Sequence, residues 1–563
     1  MNTLENIKTL YQVIAYRLTQ NRYDLDYCPS GLNPKKFASV RDAIRQIENG
    51  STIITAGMAS HSRCSLFFNA VRDLFKKTGN PSNLRWISVS AQGGRGKEPG
   101  TIEELAEPGL LSEYITGHLE TAKTLLALGD EKKIELHVMP QGEITALLVA
   151  QAKGDMVIES KTGIGTFLDP ELGGTTAVTP HTRHSYISKK NGNIAYTLPK
   201  IDVALFCAPY ADREGNIYFM NASSISESKE AALAAYHNGG KVIPTVCDII
   251  EKNEAEIGIP KEVITSIIVN PFNEQAAGVR QKKYFPLFTA GATVDVEKAV
   301  KKLQFINKLA RVNPVRTPVE NAMARMAAML FTTQAKKGDL VNLGIGLPEE
   351  VGRLIYEGGL HKDLTFSSES GPYGGIPAAG LYFGGSINPK ELKSSAWMFN
   401  HYKENLSITV LGILQVDSQG NVNVSRRGDK VSNYVGPGGF MNISNSAKTV
   451  IFLGSYMAKA KTKLKKGNLI IEKKGIPKFV DKLNEVTFNA KLALESGKKV
   501  FYVTTVGIFR LTKQGVELVK VMPGLDIQKD ILDNSSADII VPENVEVVSD
   551  NIITGTNYKL QWA

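Results

Sequence analysis

Glu369 is the residue whose type and setting are best suited to covalent chemistry. It lies in residues 366–376 (FSSESGPYGGI), directly after a short apolar run and before a glycine turn. Its small neighbours would leave the carboxylate accessible to a large substrate, and a carboxylate can attack a reactive carbonyl as a covalent nucleophile. A glutamate in such a loop can also serve only as a cap or a solvated surface group.

Two other glycine-rich stretches are suited to holding an anion. Residues 342–348 (NLGIGLP) follow a predicted strand and open a predicted helix, where exposed N–H groups favour phosphate or carboxylate. The stretch lacks the third glycine of a dinucleotide fingerprint and the lysine of a phosphate-binding loop, so neither NAD nor P-loop binding is supported. Residues 434–442 (YVGPGGFMN) predict either an anion nest or oxyanion hole, or only a hairpin loop.

The predicted strands and helices along the chain form an α/β pattern. Short apolar, β-branched runs alternate with helix-like segments such as Asn321–Gln334. Continuous apolar runs are typical of strands buried on both faces, which predicts a mostly parallel sheet covered by helices. The segment RVNPVRTP, residues 311–318, carries two prolines and is the predicted linker between domains at 1–310 and 319–563.

The two halves of the chain repeat one another. Each contains a buried strand followed by a D-x-x-G-N turn, at Asp212–Asn216 and at Asp417–Asn421, and later a lysine before an apolar strand. The offsets between the paired segments, 205 and 207 residues, nearly agree. We therefore predict two similar open α/β domains with the active site in the cleft between them.

Composition sets wider limits. The chain has 563 residues, 42% of them hydrophobic and 22% charged, as expected for a globular protein of two or more domains. We expect a cytoplasmic protein with reduced thiols, because the four cysteines are widely spaced and neither a signal peptide nor a membrane-spanning run is found. The net charge is +10, and Lys459–Lys482 alone contributes +7. This segment predicts a solvent-facing hairpin, and no nucleic-acid-binding module accompanies it.

The three glycine stretches, in this order, resemble the catalytic half of the family I coenzyme A transferases, which carries G-x-G-x-P, S-E-x-G and G-x-G-G motifs. The resemblance covers nearly the whole chain and is closest to the single-chain acetate/propionate CoA-transferases, in which an alpha-like and a beta-like part are fused. Further segments that match this family are residues 139–142 (MPQG), 163–170 (GIGTFLDP), 238–241 (NGGK) and 522–527 (MPGLDI).

The resemblance implies a function and assigns roles to residues. CoA would pass between an acyl-CoA and a short-chain carboxylic acid by a ping-pong route, with Glu369 as the nucleophile that becomes a glutamyl-CoA thioester. The Gln141 amide and an N–H of Gly438 or Gly439 would bind the oxyanions. Bound CoA would lie along Gly344, Ile345, Gly346, Leu347 and Pro348. The family implies a homo-oligomer, dimer or tetramer, and CoA as substrate rather than a permanently bound cofactor.

Two alternatives to transfer remain open, a thioester hydrolase on the same fold and a non-catalytic ligand-binding protein. The chain also departs from the family pattern at two places. Residues 56–61 (AGMASH) replace a run of glycines, which predicts a reshaped acyl pocket, and residues 504–509 (TTVGIF) lack an acid–base pair.

The chain contains two further polar motifs, a histidine pair and a basic glycine-rich loop. His181 and His184 form an H-x-x-H pair with no carboxylate beside it in the chain, so we predict surface histidines and no metal site. The basic loop Gly93–Lys97 is suited either to CoA phosphates or to solvent alone.

Overall fold

The computed structural model describes residues 3–20, 22–94, 98–312 and 314–563. The helices are α1 (Thr3–Thr19), α2 (Val40–Ile44), α3 (Ser65–Thr78), α4 (Lys123–Asp130), α5 (Gln141–Gln151), α6 (Ser228–His237), α7 (Val296–Ala310), α8 (Pro318–Gln334), α9 (Pro348–Glu357), α10 (Ser395–Asn405), α11 (Phe440–Ser446), α12 (Ala490–Glu495) and α13 (Asp550–Thr554). Within these described ranges, no helix combines the length and apolar character needed to cross a bilayer.

The strands of the first half are β1 (Thr52–Thr55), β2 (Leu84–Ser88), β3 (Leu111–Thr116), β4 (Glu135–Val138), β5 (Val157–Ser160), β6 (Ile187–Lys190), β7 (Asn193–Thr197), β8 (Val203–Asp212), β9 (Ile217–Tyr218), β10 (Lys241–Ile250), β11 (Ile257–Ile259), β12 (Ile268–Val269), β13 (Glu274–Ala276) and β14 (Val279–Arg280). The main sheet has the order β11-β9-β8-β1-β2-β3-β4, and β10 joins β8 to β12.

The strands of the second half are β15 (Leu340–Leu343), β16 (Thr365–Ser367), β17 (Pro372–Tyr373), β18 (Ile376–Pro377), β19 (Ser386–Ile387), β20 (Glu391–Leu392), β21 (Leu406–Gly412), β22 (Gln415–Val416), β23 (Val422–Asn423), β24 (Thr449–Leu453), β25 (Met457–Ala458), β26 (Lys461–Lys465), β27 (Asn468–Lys473), β28 (Ile476–Pro477), β29 (Lys499–Val503), β30 (Gly507–Thr512), β31 (Gly515–Val521), β32 (Ile539–Ile540) and β33 (Glu546–Val547). The main sheet has the order β20-β17-β16-β15-β21-β24-β29-β30-β31-β32.

The two main sheets share a parallel core with the same strand order. In the first sheet β1 pairs in parallel with β2 and β8, and β8 pairs in parallel with β10. In the second sheet β15 pairs in parallel with β16 and β21, and β21 pairs in parallel with β24. The predicted pair of similar, mostly parallel α/β units is therefore confirmed, and β16, the strand before Glu369, is the counterpart of β2.

The repeated D-x-x-G-N motif forms the same turn in both halves. The Asp212 carboxylate accepts the Asn216 backbone N–H at 3.0 Å and its side-chain amide at 2.7 Å. The Asp417 carboxylate accepts the same two groups of Asn421, each at 2.9 Å. The aspartate satisfies the backbone donors of the turn, which is the reason for this spacing.

Helix α8 confirms the predicted helical segment and begins earlier than predicted. Thr317 and Glu320 form a capping box, and Pro318 is the first helical residue. Proline is favoured at that position because its missing N–H would have no partner there. Pro318, assigned to the linker from the sequence, therefore opens a helix, and the apolar face of α8 packs on the second sheet against Val341 and Ile451.

Two smaller predictions are also confirmed. The lysine-rich segment forms an antiparallel hairpin of β26 and β27 around a turn at Gly467. Lysines 461, 463 and 465 of β26 face solvent, while Leu469 of β27 is buried against α8 and the second sheet. All four cysteines are free thiols, and three of them are buried.

Candidate active site

Glu369 lies where an open parallel sheet places ligand-binding groups, just beyond the carboxyl end of β16. The residue is only 9% exposed. The Asn342 side chain, from the adjacent strand β15, donates a hydrogen bond of 3.2 Å to the Glu369 carboxylate. Burial raises the pKa of the Glu369 carboxyl, while the hydrogen bond from Asn342 acts in the opposite direction. The result is a weakly solvated carboxylate fixed in one orientation.

Asn342 is the site residue whose role the sequence analysis did not identify. Its amide nitrogen also lies 3.3 Å from the hydroxyl oxygen of Tyr402 on α10. Burial, and then the neighbouring Glu369 carboxylate, raise the pKa of that phenol, so the hydroxyl stays neutral. A signal was present in the sequence, because Asn342 is the one polar residue in the otherwise apolar strand LVNL.

The loop after Glu369 is held by both halves of the chain. The carbonyl oxygen of Ser370 accepts hydrogen bonds from the Ser224 hydroxyl at 2.6 Å and the Ser226 N–H at 3.1 Å. Gly371 has φ of +126°, and a Cβ atom there would lie 2.2 Å from the Lys393 carbonyl oxygen. Only glycine fits this turn, which fixes the direction in which the chain continues after Glu369.

We expect Gly371→Ala to lower the free energy of unfolding by more than a positive φ alone would cause. The matched control is Gly497→Ala, because Gly497 also has a positive φ but nothing lies within 4 Å of its Cβ position. The control should cost about 1–2 kcal/mol of unfolding free energy, and Gly371→Ala should cost more because the Lys393 backbone must move. Urea unfolding followed by circular dichroism measures both. Equal losses would contradict the close approach at Gly371.

The third glycine stretch faces the start of α5. The Gln141 backbone N–H donates to the Gly438 carbonyl at 3.0 Å, and the Gly438 N–H donates to the Gly117 carbonyl at 2.7 Å. The Gly438 N–H is thus already engaged. Among the described residues the Gly439 N–H has no hydrogen-bond acceptor, so of the two predicted donors it is the one left for a ligand.

The Gln141 side chain points into the same place. It is buried, and within the described part of the chain its Oε1 atom has no hydrogen-bond partner. A Cβ atom built on Gly439 would lie 3.2 Å from that oxygen. Buried amide atoms are nearly always satisfied in folded proteins, so this unpaired oxygen, which accepts hydrogen bonds, is suited to a donor group on a ligand. The group of Gln141 that can donate to an oxyanion is its Nε2, which lies 4.0 Å from the Cβ position of Gly438.

Helix α10 connects the two parts of the site. Its Tyr402 joins the network of Asn342 and Glu369, and its Phe399 ring lies 3.4 Å from the Cβ position of Gly439. The same helix packs against α5, which begins at Gln141, and against α11. The structure therefore places Gln141, Gly438 and Gly439 together, and α10 contacts both this group and the network of Asn342 and Glu369.

The first glycine stretch joins β15 to α9, as predicted. The Gly344 N–H donates to the Val410 carbonyl at 2.8 Å, and the Gly346 carbonyl accepts from Arg316 at 2.8 Å. Ile345 is 51% exposed, and Pro348 is the first residue of α9. The loop begins two residues after Asn342, so an exposed strand-to-helix turn lies beside the residue that donates a hydrogen bond to Glu369.

The segment at residues 56–61, which departs from the family pattern, packs near the loop that follows Glu369. His61 is buried, with its Nδ1 atom 2.9 Å from the Ser223 hydroxyl and its Nε2 atom 3.0 Å from the Tyr382 carbonyl. A Cβ atom built on Gly384 would lie 3.5 Å from Met58 Sδ and 3.6 Å from Ser370 Oγ. Met58 thus reaches the surroundings of the residue that follows Glu369. In the basic loop, residues 95–97 lie outside the described residues.

Known proteins resemble the chain over nearly its full length. A caffeate CoA-transferase of Acetobacterium woodii is 34% identical over 512 residues, which cover 88% of this chain and 93% of the relative. The acetate CoA-transferase YdiF of Escherichia coli K12 is 29% identical over 527 residues, covering 91% and 94%. No protein-family model matches.

A solved structure agrees with these sequence relatives. A crystal structure of the acyl-CoA transferase YdiF from E. coli O157:H7, in a thioester complex with CoA, superposes with a TM-score of 0.81 at 27% identity. The superposition covers 93% of this chain and 98% of that protein. The whole architecture, with both sheets, is therefore shared.

Proposed function

The chain belongs to the single-chain CoA-transferase family, and we propose that it transfers CoA between an acyl-CoA and a free short-chain carboxylic acid through a glutamyl-CoA thioester on Glu369. The observation that carries the proposal is the buried Glu369 carboxylate, which follows a parallel strand and is oriented by Asn342. A desolvated carboxylate is a stronger nucleophile than one in water, because fewer hydrogen bonds must be broken before it attacks.

The first half-reaction has two steps. A carboxylate oxygen of Glu369 attacks the thioester carbon, the C–S bond breaks, and CoA leaves as a thiolate from an acyl-glutamyl anhydride. The thiolate then attacks the glutamyl carbonyl carbon, the C–O bond to the acyl group breaks, and the first acid leaves as a carboxylate. The thioester bond energy is retained as glutamyl-CoA.

The second half-reaction runs these steps in reverse with another acid. Each attack produces an oxyanion, and donors arranged before the reaction stabilise it more effectively than water does. The Gln141 side-chain amide and the Gly439 N–H are the donors we assign. No permanently bound cofactor takes part in these steps, since CoA itself is the substrate and the covalent intermediate.

Dependence on an acceptor acid separates transfer from hydrolysis. With acyl-CoA alone, a transferase should release acid only once per active site, whereas a hydrolase should continue. Initial rates at varied donor and acceptor should give the parallel reciprocal plots of a ping-pong mechanism. Steady release of acid and free CoA without any acceptor would overturn the proposal in favour of the hydrolase.

The size of the acid is the least constrained part of the proposal. One relative is named for acetate and another for caffeate, and Met58 lies beside the nucleophile loop. A panel of acetate, propionate, butyrate and an aromatic propenoic acid, each offered against acetyl-CoA, measures the preference. Higher kcat/KM for the aromatic acid would contradict the short-chain part while leaving transfer intact.

The pH dependence of kcat/KM should reflect the raised pKa of Glu369. The carboxylate must be ionised to attack, so kcat/KM should rise with pH through a raised pKa. In Asn342→Leu the carboxylate loses its side-chain donor, so we expect this limb to move to higher pH. We also expect activity to fall by about 10–100-fold, the value of a hydrogen bond to a charged group. A limb unchanged in Asn342→Leu would contradict the assignment.

The proposal also includes a cytoplasmic location and a homo-oligomer, dimer or tetramer, as the family resemblance implies. Light scattering coupled to size-exclusion chromatography measures the second, and a monomer at working concentration would contradict it.

A further inference from the structure

Three side chains in the first half converge away from the candidate active site. Glu113 lies on β3, His137 on β4, and His184 in the segment that leads into β6. One ligand atom from each lies within 4.8 Å of the others. The Nε2 atoms of His137 and His184 are 3.1 Å and 3.2 Å from the same carboxylate oxygen of Glu113.

These separations match the edges of a coordination polyhedron. Zinc bonds to imidazole nitrogen and carboxylate oxygen are about 2.0–2.2 Å long, so neighbouring ligand atoms in a tetrahedral site lie roughly 3.3–3.5 Å apart. The two nitrogen–oxygen distances are close to that range. The two imidazole centroids are 4.7 Å apart, which lets both rings approach one ion.

His137 supplies a second, independent observation. Its side chain has no solvent exposure, and its Nε2 atom makes no hydrogen bond among the described residues, although Glu113 is near. Its other ring nitrogen is occupied, 2.9 Å from the Thr176 hydroxyl. A buried imidazole nitrogen that lies 3.1 Å from a carboxylate oxygen without a hydrogen bond to it is suited to sharing a cation with that oxygen.

The surrounding groups orient the three residues. The Tyr186 hydroxyl donates to the shared Glu113 oxygen at 2.7 Å, and Glu135 lies 3.6 Å from the Nδ1 atom of His184. Carboxylate and hydroxyl partners of this kind commonly fix metal-binding histidines and carboxylates. Arg85 approaches the other Glu113 oxygen at 3.6 Å.

We propose that Glu113, His137 and His184 bind one divalent transition-metal ion of the zinc type. Two imidazole nitrogens and one carboxylate favour zinc, cobalt or nickel over magnesium or calcium, which prefer oxygen ligands alone. His184 is 47% exposed, so an ion can enter from the surface, and water can complete the coordination.

We infer that the bound ion would hold segments of the chain in place and would take no part in the reaction. Four residues after Glu113 comes Gly117, whose carbonyl accepts from Gly438, and four residues after His137 comes Gln141. Residues 113–117 run along β3 and one residue beyond it, and four such residues span about 13 Å, so the ion would lie away from the reacting atoms. It would tie the segment carrying His184 to the two strands that present Gly117 and Gln141.

His184 was not predicted to bind a metal, because no carboxylate lies beside it in the amino-acid sequence. Folding supplies one, since Glu113 and His137 come from neighbouring strands. The group includes His184 and not the other histidine of the H-x-x-H motif, His181.

Metal titration of the purified full-length protein tests the inference. After removal of metal by a chelator, Co²⁺ should bind at one ion per chain with the visible bands of a tetrahedral site, and Zn²⁺ should displace it. Zn²⁺ should also raise the melting temperature, because the site exists only in the folded state. His184→Ala should weaken Co²⁺ binding at least about tenfold.

His181→Ala is the matched control, since it removes a histidine of the same loop outside the group, and its binding should equal wild type. Glu113→Gln keeps the side-chain shape and should also weaken binding; circular dichroism shows whether each variant is folded. Failure of the wild type to take up Co²⁺ or Zn²⁺ would overturn the site. Equal affinity in the folded His184→Ala and His181→Ala variants would overturn it as well.

Discussion

Replacing Glu369 by glutamine is expected to lower kcat/KM for CoA transfer by at least about 10³-fold. A neutral amide cannot attack the thioester, so neither the anhydride nor the glutamyl-CoA can form. The fold should be preserved, because glutamine has the same shape and its carbonyl can still accept the hydrogen bond from Asn342. Initial rates with saturating acceptor acid, together with a melting curve, measure the two effects separately.

The matched control for this change is Glu391→Gln. Glu391 is an exposed glutamate on β20, at the edge of the same sheet. It should retain wild-type rates, since it is not a nucleophile. Comparable rates in Glu369→Gln and wild type would show that another residue, or direct attack of the acceptor acid, carries the reaction.

Gln141→Ala should lower kcat by about 10²–10³-fold, the typical effect of losing one oxyanion donor. The Gln141 side chain is buried and its Oε1 atom is unpaired, so its loss removes few interactions within the protein. KM for acyl-CoA should change little, because the donor acts mainly when negative charge develops on the carbonyl oxygen.

Gln151→Ala, on the same helix, serves as the control for Gln141→Ala. Gln151 donates to the Pro199 carbonyl at 3.0 Å and accepts from the Ile201 N–H at 3.1 Å, so it has a structural role only. We expect a lower melting temperature with kcat unchanged. A loss of kcat in Gln151→Ala as large as in Gln141→Ala would attribute both effects to a loosened α5.

The sequence could predict which strands of the two halves correspond to each other. The D-x-x-G-N turns and the lysine-led strands identified β8 and β21, and β10 and β24, as counterparts, because a turn that satisfies its own backbone donors has a strict local sequence. The many short strands at the sheet edges were not predicted. Their pairing is set by contacts between distant segments, and two-residue strands carry no periodicity.

The residues of the candidate site differ in how far the sequence could indicate them. The small residues and glycine turn around Glu369 in the sequence indicated a candidate nucleophile, and the family resemblance assigned it that role. The role of Gln141 came from the family resemblance alone. Asn342 was missed because its function depends on β15 lying beside β16, and the group of Glu113, His137 and His184 was missed because its members come from separate elements.

The most direct measurement is mass spectrometry of the protein incubated with acyl-CoA in the absence of acceptor acid, quenched in acid and digested. We predict that the peptide containing Glu369 carries the mass of CoA joined by a thioester, and that a second acid removes it. An unmodified Glu369 peptide in protein that turns over normally, or CoA attached to a different residue, would contradict the central claim.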